Sequence, residues 1–267
     1  MEQNYINSQD NGVSESIGFL LIFTIVIMGI GLVTLYGYPM LLQQQTGADE
    51  QIMEKNMIVL QNDFKSLVYK TVPYKETSLK ISGGSLDVNN LQQIKNHGPT
   101  FTILDGSGTD MMPANKTGEM RYKATTSQEE ISLQNGAVVK HDLSASGSVM
   151  LAEPRWFYDD TTDTMVINIV CINSSTSMSK EGIGTVQMEL GSTDYVKMSP
   201  AMNRISVIYN PDTGQDYSTA WKTYFERTLK TDPCTFSGTV MTCKTNSATH
   251  PVITLVIKRT EIIINSL

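Results

Sequence analysis

An uncharged stretch of 33 residues near the N-terminus, from Ser16 to Ala48, constrains this chain more than any other feature. It includes most of the apolar run from Ser14 to Leu42, SESIGFLLIFTIVIMGIGLVTLYGYPMLL. A helix needs about 20 apolar residues to cross the hydrocarbon core of a bilayer. Lipid offers no hydrogen-bond partners to the backbone, so a single-pass segment must be helical. The run therefore predicts one membrane-spanning helix. A buried core helix of a soluble protein is the alternative.

Two features mark the C-terminal end of the predicted span. Pro39 lacks an amide hydrogen, so we expect the helix to kink there. Tyr36 and Tyr38 suit the aromatic belt at a membrane interface. The first basic residue of the chain is Lys55, so neither flank carries the positive charge that would orient the helix.

The segment from Asp49 to Tyr69 has the pattern of an amphipathic helix. Apolar residues recur at steps of four and three, which places them on one face of a helix. They are Met53, Met57, Leu60, Phe64 and Leu67. We expect this stripe to pack on the rest of the protein. A coiled coil is the alternative, although fewer than three heptads is short for one.

After Pro73 the composition shifts to Ser, Thr, Gly and Asn around short apolar runs, as in all-β domains. The predicted strands are Ser78–Ile81, Thr100–Leu104, Met120–Ala124, Ile131–Leu133, Ala137–Lys140, Val149–Leu151, Met165–Ile172, Thr185–Leu190, Tyr195–Met198, Ile205–Tyr209 and Val252–Ile264. Asn135-Gly136 predicts a hairpin turn. The Val- and Ile-rich last strand is predicted to be central and buried on both faces. Helical spacing from Ser218 to Leu229 predicts one short helix with Ser218 as N-cap.

These elements predict an α+β fold: a long N-terminal membrane-spanning helix, continued by an amphipathic helix, then a mainly antiparallel β head with one short helix. The predicted divisions are 1–12 as leader, 13–44 as transmembrane or filament-core helix, 45–72 as amphipathic helix and 73–267 as β-rich head, for which a β-sandwich is expected.

Charge and motif content narrow the function. The net charge of −7 and the pI near 5.0 argue against a nucleic-acid partner, because such proteins present a basic face. His97, His141 and His250 stand in no metal or nucleophile motif, and no phosphate loop or hydrolase elbow is present. We therefore expect no enzyme activity, no cofactor and no metal. The segments 105–110 and 210–216 carry oxygen ligands at alternate positions, but ordinary turns have the same composition.

Cysteine and asparagine positions offer two candidate modifications. Cys234 and Cys243 enclose a turn-like Ser237-Gly238, so a disulfide across a hairpin is one interpretation and two unpaired thiols the other. Cys171 lies in an apolar run and is expected to be a buried hydrophobe. Asn115 and Asn173 begin N-x-S/T sequons, which are candidate glycosylation sites if the head is extracellular.

The order of the N-terminal segments carries a family resemblance. A polar leader, MEQNYINSQDNG, ends at Gly12, and the apolar helix follows as GVSESIGFLLIFTIVI. This arrangement resembles the class III signal peptide of archaeal type IV pilin-like surface proteins. The stretches ISLQNGAVVKHDLSASGSVMLAEPRWFY and YSTAWKTYF are also similar to their heads. The resemblance implies that a prepilin peptidase cuts between Gly12 and Val13. It also implies that Glu15 neutralises the terminal amine of a neighbouring subunit, unless Glu15 simply reaches the headgroups.

On that resemblance, we expect a structural subunit, by its size a minor pilin, whose partners are membrane lipid, other pilin-like subunits and the peptidase. It would lie in the cell membrane as a single-pass protein with an extracellular head, or in a surface filament, and act in assembly or adhesion. The alternative is an unprocessed, permanently anchored binding module. Asn11 favours it, because pilin-like leaders usually carry a basic residue there. An anchored extracellular hydrolase is a third class, with no residue constellation behind it.

Overall fold

The computed structural model describes residues 10–70, 72–89, 98–112, 117–145, 147–202, 204–212, 214–246 and 253–267. Its contacts divide the chain into two units, Met1–Ala48 and Asp49–Leu267. The fold is α+β, as predicted: one long apolar helical segment near the N-terminus precedes a mostly antiparallel β domain with one short helix.

The helical segment consists of α1 (Asp10–Leu32), a π-helical turn (Val33–Gly37) and α2 (Tyr38–Lys70). The π turn lies directly before Pro39, and the backbone N–H of Tyr38 bonds to the carbonyl of Val33. A proline cannot donate to the carbonyl four residues earlier, and its ring clashes with that carbonyl. The widened turn is the local response to Pro39, where the sequence predicted a kink.

Thirteen strands and one further helix make up the rest of the described chain. In order they are β1 (Tyr74–Val88), β2 (Thr100–Leu104), β3 (Glu119–Ala124), β4 (Glu129–Gln134), β5 (Ala137–Asp142), β6 (Ser148–Ala152), β7 (Phe157–Asp159), β8 (Thr164–Ser174), β9 (Met178–Met202), β10 (Ser206–Asn210), α3 (Ser218–Thr228), β11 (Thr235–Ser237), β12 (Val240–Lys244) and β13 (Ile253–Ser266).

The strands form two sheets. A nine-stranded sheet has the order β6-β5-β4-β3-β1-β9-β13-β8-β7, and a four-stranded sheet has the order β11-β12-β10-β2. All pairings are antiparallel except β8 with β13. The turn between β4 and β5 is the predicted Asn-Gly turn, with φ of 48° at Asn135 and 74° at Gly136.

The apolar stripe of α2 packs on one face of the nine-stranded sheet. Met53, Met57, Leu60, Phe64 and Leu67 are all at most 1% exposed. They share a core cluster with side chains of β1, β3, β4, β8, β9 and β13. The amphipathic segment therefore belongs to the same compact unit as the β domain, and its predicted packing is confirmed.

The other face of the nine-stranded sheet packs against the four-stranded sheet and α3. Aromatic side chains fill this second core, and adjacent rings have centroids 4.6–6.1 Å apart. They are Phe101, Trp156, Tyr209, Trp221, Tyr224 and Phe225. The β domain is thus three layers: α2, the large sheet, and the small sheet with α3.

Three details differ from the sequence predictions. Residues predicted as two strands, Thr185–Leu190 and Tyr195–Met198, belong to one 25-residue strand, β9. Ser218 is not the N-cap of α3: the cap residue is Tyr217, and the amide of Ser218 bonds instead to the Asp216 carboxylate, 2.8 Å away. Strand β13 is central, but it is not buried on both faces: buried and half-buried residues alternate along most of its length.

That alternation has a simple origin in β13. Ile253, Leu255 and Ile257 face the aromatic core, whereas Ile262 and Ile264 face the α2 core. Successive side chains of a strand point to opposite faces. The first half of β13 is therefore buried on the side of the aromatic core, and the second half on the side of α2.

Candidate functional site

The helix from Ser16 to Leu42 presents a continuous apolar surface. Every residue in this range is exposed. Its large apolar side chains include Phe19 at 70% exposure, Val33 at 69% and Leu35 at 68%. The helical segment Ser16–Lys70 is the one helix, among the described residues, that is long and apolar enough to cross a membrane. From Ile17 to Leu42 it measures about 39 Å at ~1.5 Å per residue, which exceeds a hydrocarbon core of about 30 Å.

Two threonines within this apolar surface form hydrogen bonds inside the helix. The hydroxyls of Thr24 and Thr34 donate to the carbonyls four residues earlier, at 2.7 and 2.9 Å. A hydroxyl left without a partner in an apolar medium costs several kcal/mol, so this bonding suits an environment without water. The surface is therefore compatible with lipid or with other apolar helices.

Glycines in the helix have no steric reason to be glycine within the described chain. A Cβ built on Gly18, Gly29 or Gly31 would meet no atom within 4 Å. Glycine costs about 1 kcal/mol relative to alanine in a helix interior, and small residues let helix backbones approach closely in membranes. These positions thus tolerate close approach by a neighbouring helix.

The residues predicted for processing lie at the start of α1. Gly12, Val13 and Glu15 fall inside the range Asp10–Leu32. Their side chains lie outside the described part of the structure. Cleavage between Gly12 and Val13 and the assembly role of Glu15 therefore stay predictions.

Hydrogen bonds also connect α2 to the β domain, beside the apolar stripe of the helix. The amide of Gln61, which is 1% exposed, donates to the carbonyls of Gly136 and Glu153 at 2.8 and 2.9 Å. The ammonium of Lys258 donates to the carbonyl of Val68 at 2.7 Å, in the last turn of the helix. A cation at a helix C-terminus is favoured by the helix dipole as well as by the hydrogen bond.

A buried polar layer lies between the large sheet and the connection from β10 to α3. The Arg121 guanidinium pairs with Glu119, through a 2.9 Å bond from Nε to Oε1, and with Asp212 at 3.3 Å. The second carboxylate oxygen of Glu119 accepts from Ser132 Oγ at 2.6 Å. The three charged side chains are 3–8% exposed, so the guanidinium offsets part of the cost of burying the two carboxylates.

Buried tyrosines border this layer. Burial raises the pKa of Tyr209 and of Tyr217 well above the ordinary value, and the nearby Glu119 carboxylate adds to both shifts. Burial also raises the pKa of Glu130, against the opposing effect of Arg121. This layer was not predicted from the sequence. Its signal was the alternation of apolar and polar residues in β3 and β4, which is ordinarily the pattern of a solvent-facing sheet surface.

The two loops with oxygen ligands serve local structure. Asp105 Oδ1 accepts hydrogen bonds from the amides of Ser107 and Thr109, each at 2.8 Å, and from Ser107 Oγ at 2.6 Å. In the second loop, Asp212 pairs with Arg121 and Asp216 bonds to the amide of Ser218. Within the described ranges, no three His, Cys, Asp or Glu side chains are grouped as metal ligands.

The predicted modification sites are placed as follows. Cys234 and Cys243 form a disulfide across the β11–β12 hairpin, with a Cα–Cα distance of 4.3 Å. Cys171 is buried, accepts from Arg259 Nε at 3.3 Å, and has a pKa raised by burial. Asn173 lies in β8, where its amide donates to Glu261 at 3.0 Å, and Asn115 lies outside the described residues.

A comparison with known protein families matches residues 11–262 to one family model, DUF7289, a family of unknown function. The chain belongs to this family. The matched region begins within α1 and ends within β13, so the family includes both the apolar helix and the β domain. No curated protein and no solved structure shows a significant match to the chain.

Proposed function

We propose that this member of the family is a type IV pilin-like structural subunit. Its apolar helix first anchors the precursor in the cell membrane as a single pass, with the β head outside the cell. After removal of a leader at Gly12, the same helix packs among the helices of other copies in a surface filament. Its size favours a minor subunit, with adhesion as one role.

The observation that carries this proposal is an exposed apolar helix that precedes a folded β domain in the chain. The surface from Ile17 to Leu42 is exposed along its whole length. Exposed apolar surface of this size is stable only when lipid or another apolar surface covers it. The internally bonded threonines and the unconstrained glycines support both environments in succession. In this proposal, removal of the leader that ends at Gly12 is the step that lets the helix pass from the membrane into the filament.

The disulfide supports an extracellular head. Cys234 and Cys243 are bonded in a short hairpin. Such bonds persist in oxidising compartments and are rare in the cytosol of most organisms. The proposal therefore assigns the β domain to the outer side of the membrane.

The first test is the N-terminal residue of the mature protein, measured by mass spectrometry of the cell-envelope fraction. We expect Val13. We expect the variant Gly12→Leu to keep its leader, and the matched variant Gly18→Ala, where a Cβ meets open space, to be processed normally. An intact leader on the wild-type protein would refute cleavage at Gly12. The protein would then be a permanently anchored binding module.

The second test separates a filament from an anchor. Cells are sheared without detergent, and the protein is measured in the released and membrane fractions. A filament subunit is released, because its helix is covered by other copies. A processed protein that stays entirely with the membranes until detergent is added would refute filament assembly while keeping the membrane helix.

A further inference from the structure

The outer face of the four-stranded sheet holds a cleft of about 410 Å³. Its floor is formed by Leu104, Ser206, Ile208 and Thr242, which lie on the three adjacent strands β2, β10 and β12. The alternate residues of these strands point into the aromatic core, so the cleft side chains point outward. The volume lies within the range of about 300–1,000 Å³ that is typical of small-molecule sites.

One wall of the cleft is a preformed loop. Residues 105–108 line it, and the Asp105 carboxylate fixes their conformation through its hydrogen bonds to Ser107 and Thr109. These bonds lower the pKa of Asp105, the bond from the Ser107 hydroxyl contributing most. The wall therefore does not have to be ordered when a ligand enters, which reduces the entropy cost of binding.

Two cations stand at the cleft. Lys244 is exposed, and its ammonium has no partner among the described residues. Arg204 is 46% exposed in its side chain and uses one guanidinium nitrogen to pair with Asp232 at 3.2 Å. The planar guanidinium has further N–H groups in a fork that matches a carboxylate. The Asp105 carboxylate also lines the cleft, but it accepts hydrogen bonds from Ser107 and Thr109, so the two basic side chains point to an anionic group on the ligand.

The chemistry of the cleft favours a sugar over a peptide. A peptide commonly binds a sheet by pairing with a free strand edge. Here the edge of β2 is already occupied, since the amide of Met111 bonds to the carbonyl of Ile103 at 2.8 Å and Asp110 bridges to Leu104. On this side of the sheet, recognition comes from side chains, which supply hydroxyls from Ser107, Ser206 and Thr242 beside the apolar Leu104 and Ile208.

We propose that this cleft binds an acidic saccharide. Its rings lie over Leu104 and Ile208, its hydroxyls bond to the serine and threonine side chains, and its carboxylate pairs with Arg204 and Lys244. The proposal does not depend on filament assembly, because the cleft lies wholly within the β domain.

The test is a calorimetric titration of the full-length protein in detergent micelles. The probe is an oligomer of glucuronic acid, with a neutral glucose oligomer of the same length beside it. We expect the acidic probe to bind and the neutral one to bind at least about tenfold more weakly, the loss expected for one or two charge-assisted hydrogen bonds. Equal binding of the two probes would overturn the proposal.

Variants locate the binding. Lys244→Gln and Arg204→Gln are each expected to weaken the acidic probe about three- to tenfold, whereas Lys80→Gln, an exposed lysine on β1, leaves it unchanged. Asp232→Asn frees the Arg204 guanidinium and is expected to strengthen binding, which a purely structural role of Arg204 would not produce. Binding that survives both cleft variants would refute the site. Equally tight binding of poly-glutamate would refute the saccharide as the ligand class.

Discussion

The buried ion pairs of Arg121 with Glu119 and Asp212 lead us to expect a large loss of stability when Arg121 is replaced. Arg121→Met keeps the length of the side chain and removes the charge, which leaves two carboxylates that are 3% and 5% exposed without their cation. Removing one partner of a buried ion pair costs about 3–5 kcal/mol, because the remaining charge is desolvated without compensation. We expect the free energy of unfolding to fall by about that amount, measured by urea titration in detergent micelles. A loss no larger than that of an ordinary surface substitution, about 0.5 kcal/mol, would refute this reasoning.

Two further variants control the experiment. Lys123→Met changes an exposed residue two positions along the same face of β3, and it should change stability by less than about 0.5 kcal/mol. The double variant Glu119→Gln with Arg121→Met also removes the negative charge of Glu119. We expect it to be more stable than Arg121→Met alone, since the coupling between the two sites is electrostatic.

Three other outcomes follow from the packing. In thermal unfolding, Leu60→Ala should cost about 2–5 kcal/mol, whereas the neighbouring Val59→Ala, 47% exposed, should cost less than about 1; equal losses would contradict the docking of α2. Gly84→Ala should prevent folding or sharply lower the yield of folded protein, because its Cβ would lie 2.0 Å from the Lys123 carbonyl oxygen; normal yield would contradict that packing. Because burial raises the pKa of Tyr209 well above its ordinary value, the folded state keeps its proton while the unfolded state ionises, so stability should fall as the pH rises past about 10. Tyr209→Phe should show a smaller alkaline loss in a urea titration at each pH, and an unchanged loss would exclude this residue.

Most secondary structure was predictable because it depends on local patterns. The apolar run and the stripe of α2 each repeat over several turns, so single exceptions do not hide the helix. The Asn135-Gly136 turn was predictable because few residue pairs accept positive φ at both positions. The division of β9 into two strands was wrong because Gly191 and its polar neighbours resemble a turn, whereas pairing with β13 and β1 keeps the backbone extended.

The candidate sites were less predictable, because each is assembled from distant segments. The saccharide cleft joins residues from 104 to 244, and Gln61 reaches carbonyls 75 and 92 positions away. The predicted N-cap of α3 was wrong for a related reason. Serine is a common N-cap residue, but the amide of Ser218 donates to the Asp216 carboxylate and the helix is capped one residue earlier.

The sequence by itself determined the apolar helix, the amphipathic helix and the β-rich character of the remainder, since these follow from composition and from the periods of helix and strand. Only the tertiary structure decided which strands are neighbours, and with that the parallel pairing of β8 with β13 and the partners of the buried charges. Asp212 lies 91 residues from Arg121, and nothing in the local sequence of either indicates the other. The physical reason is that strand pairing depends on the free energy of the whole packed core, to which α2, the two sheets and α3 all contribute.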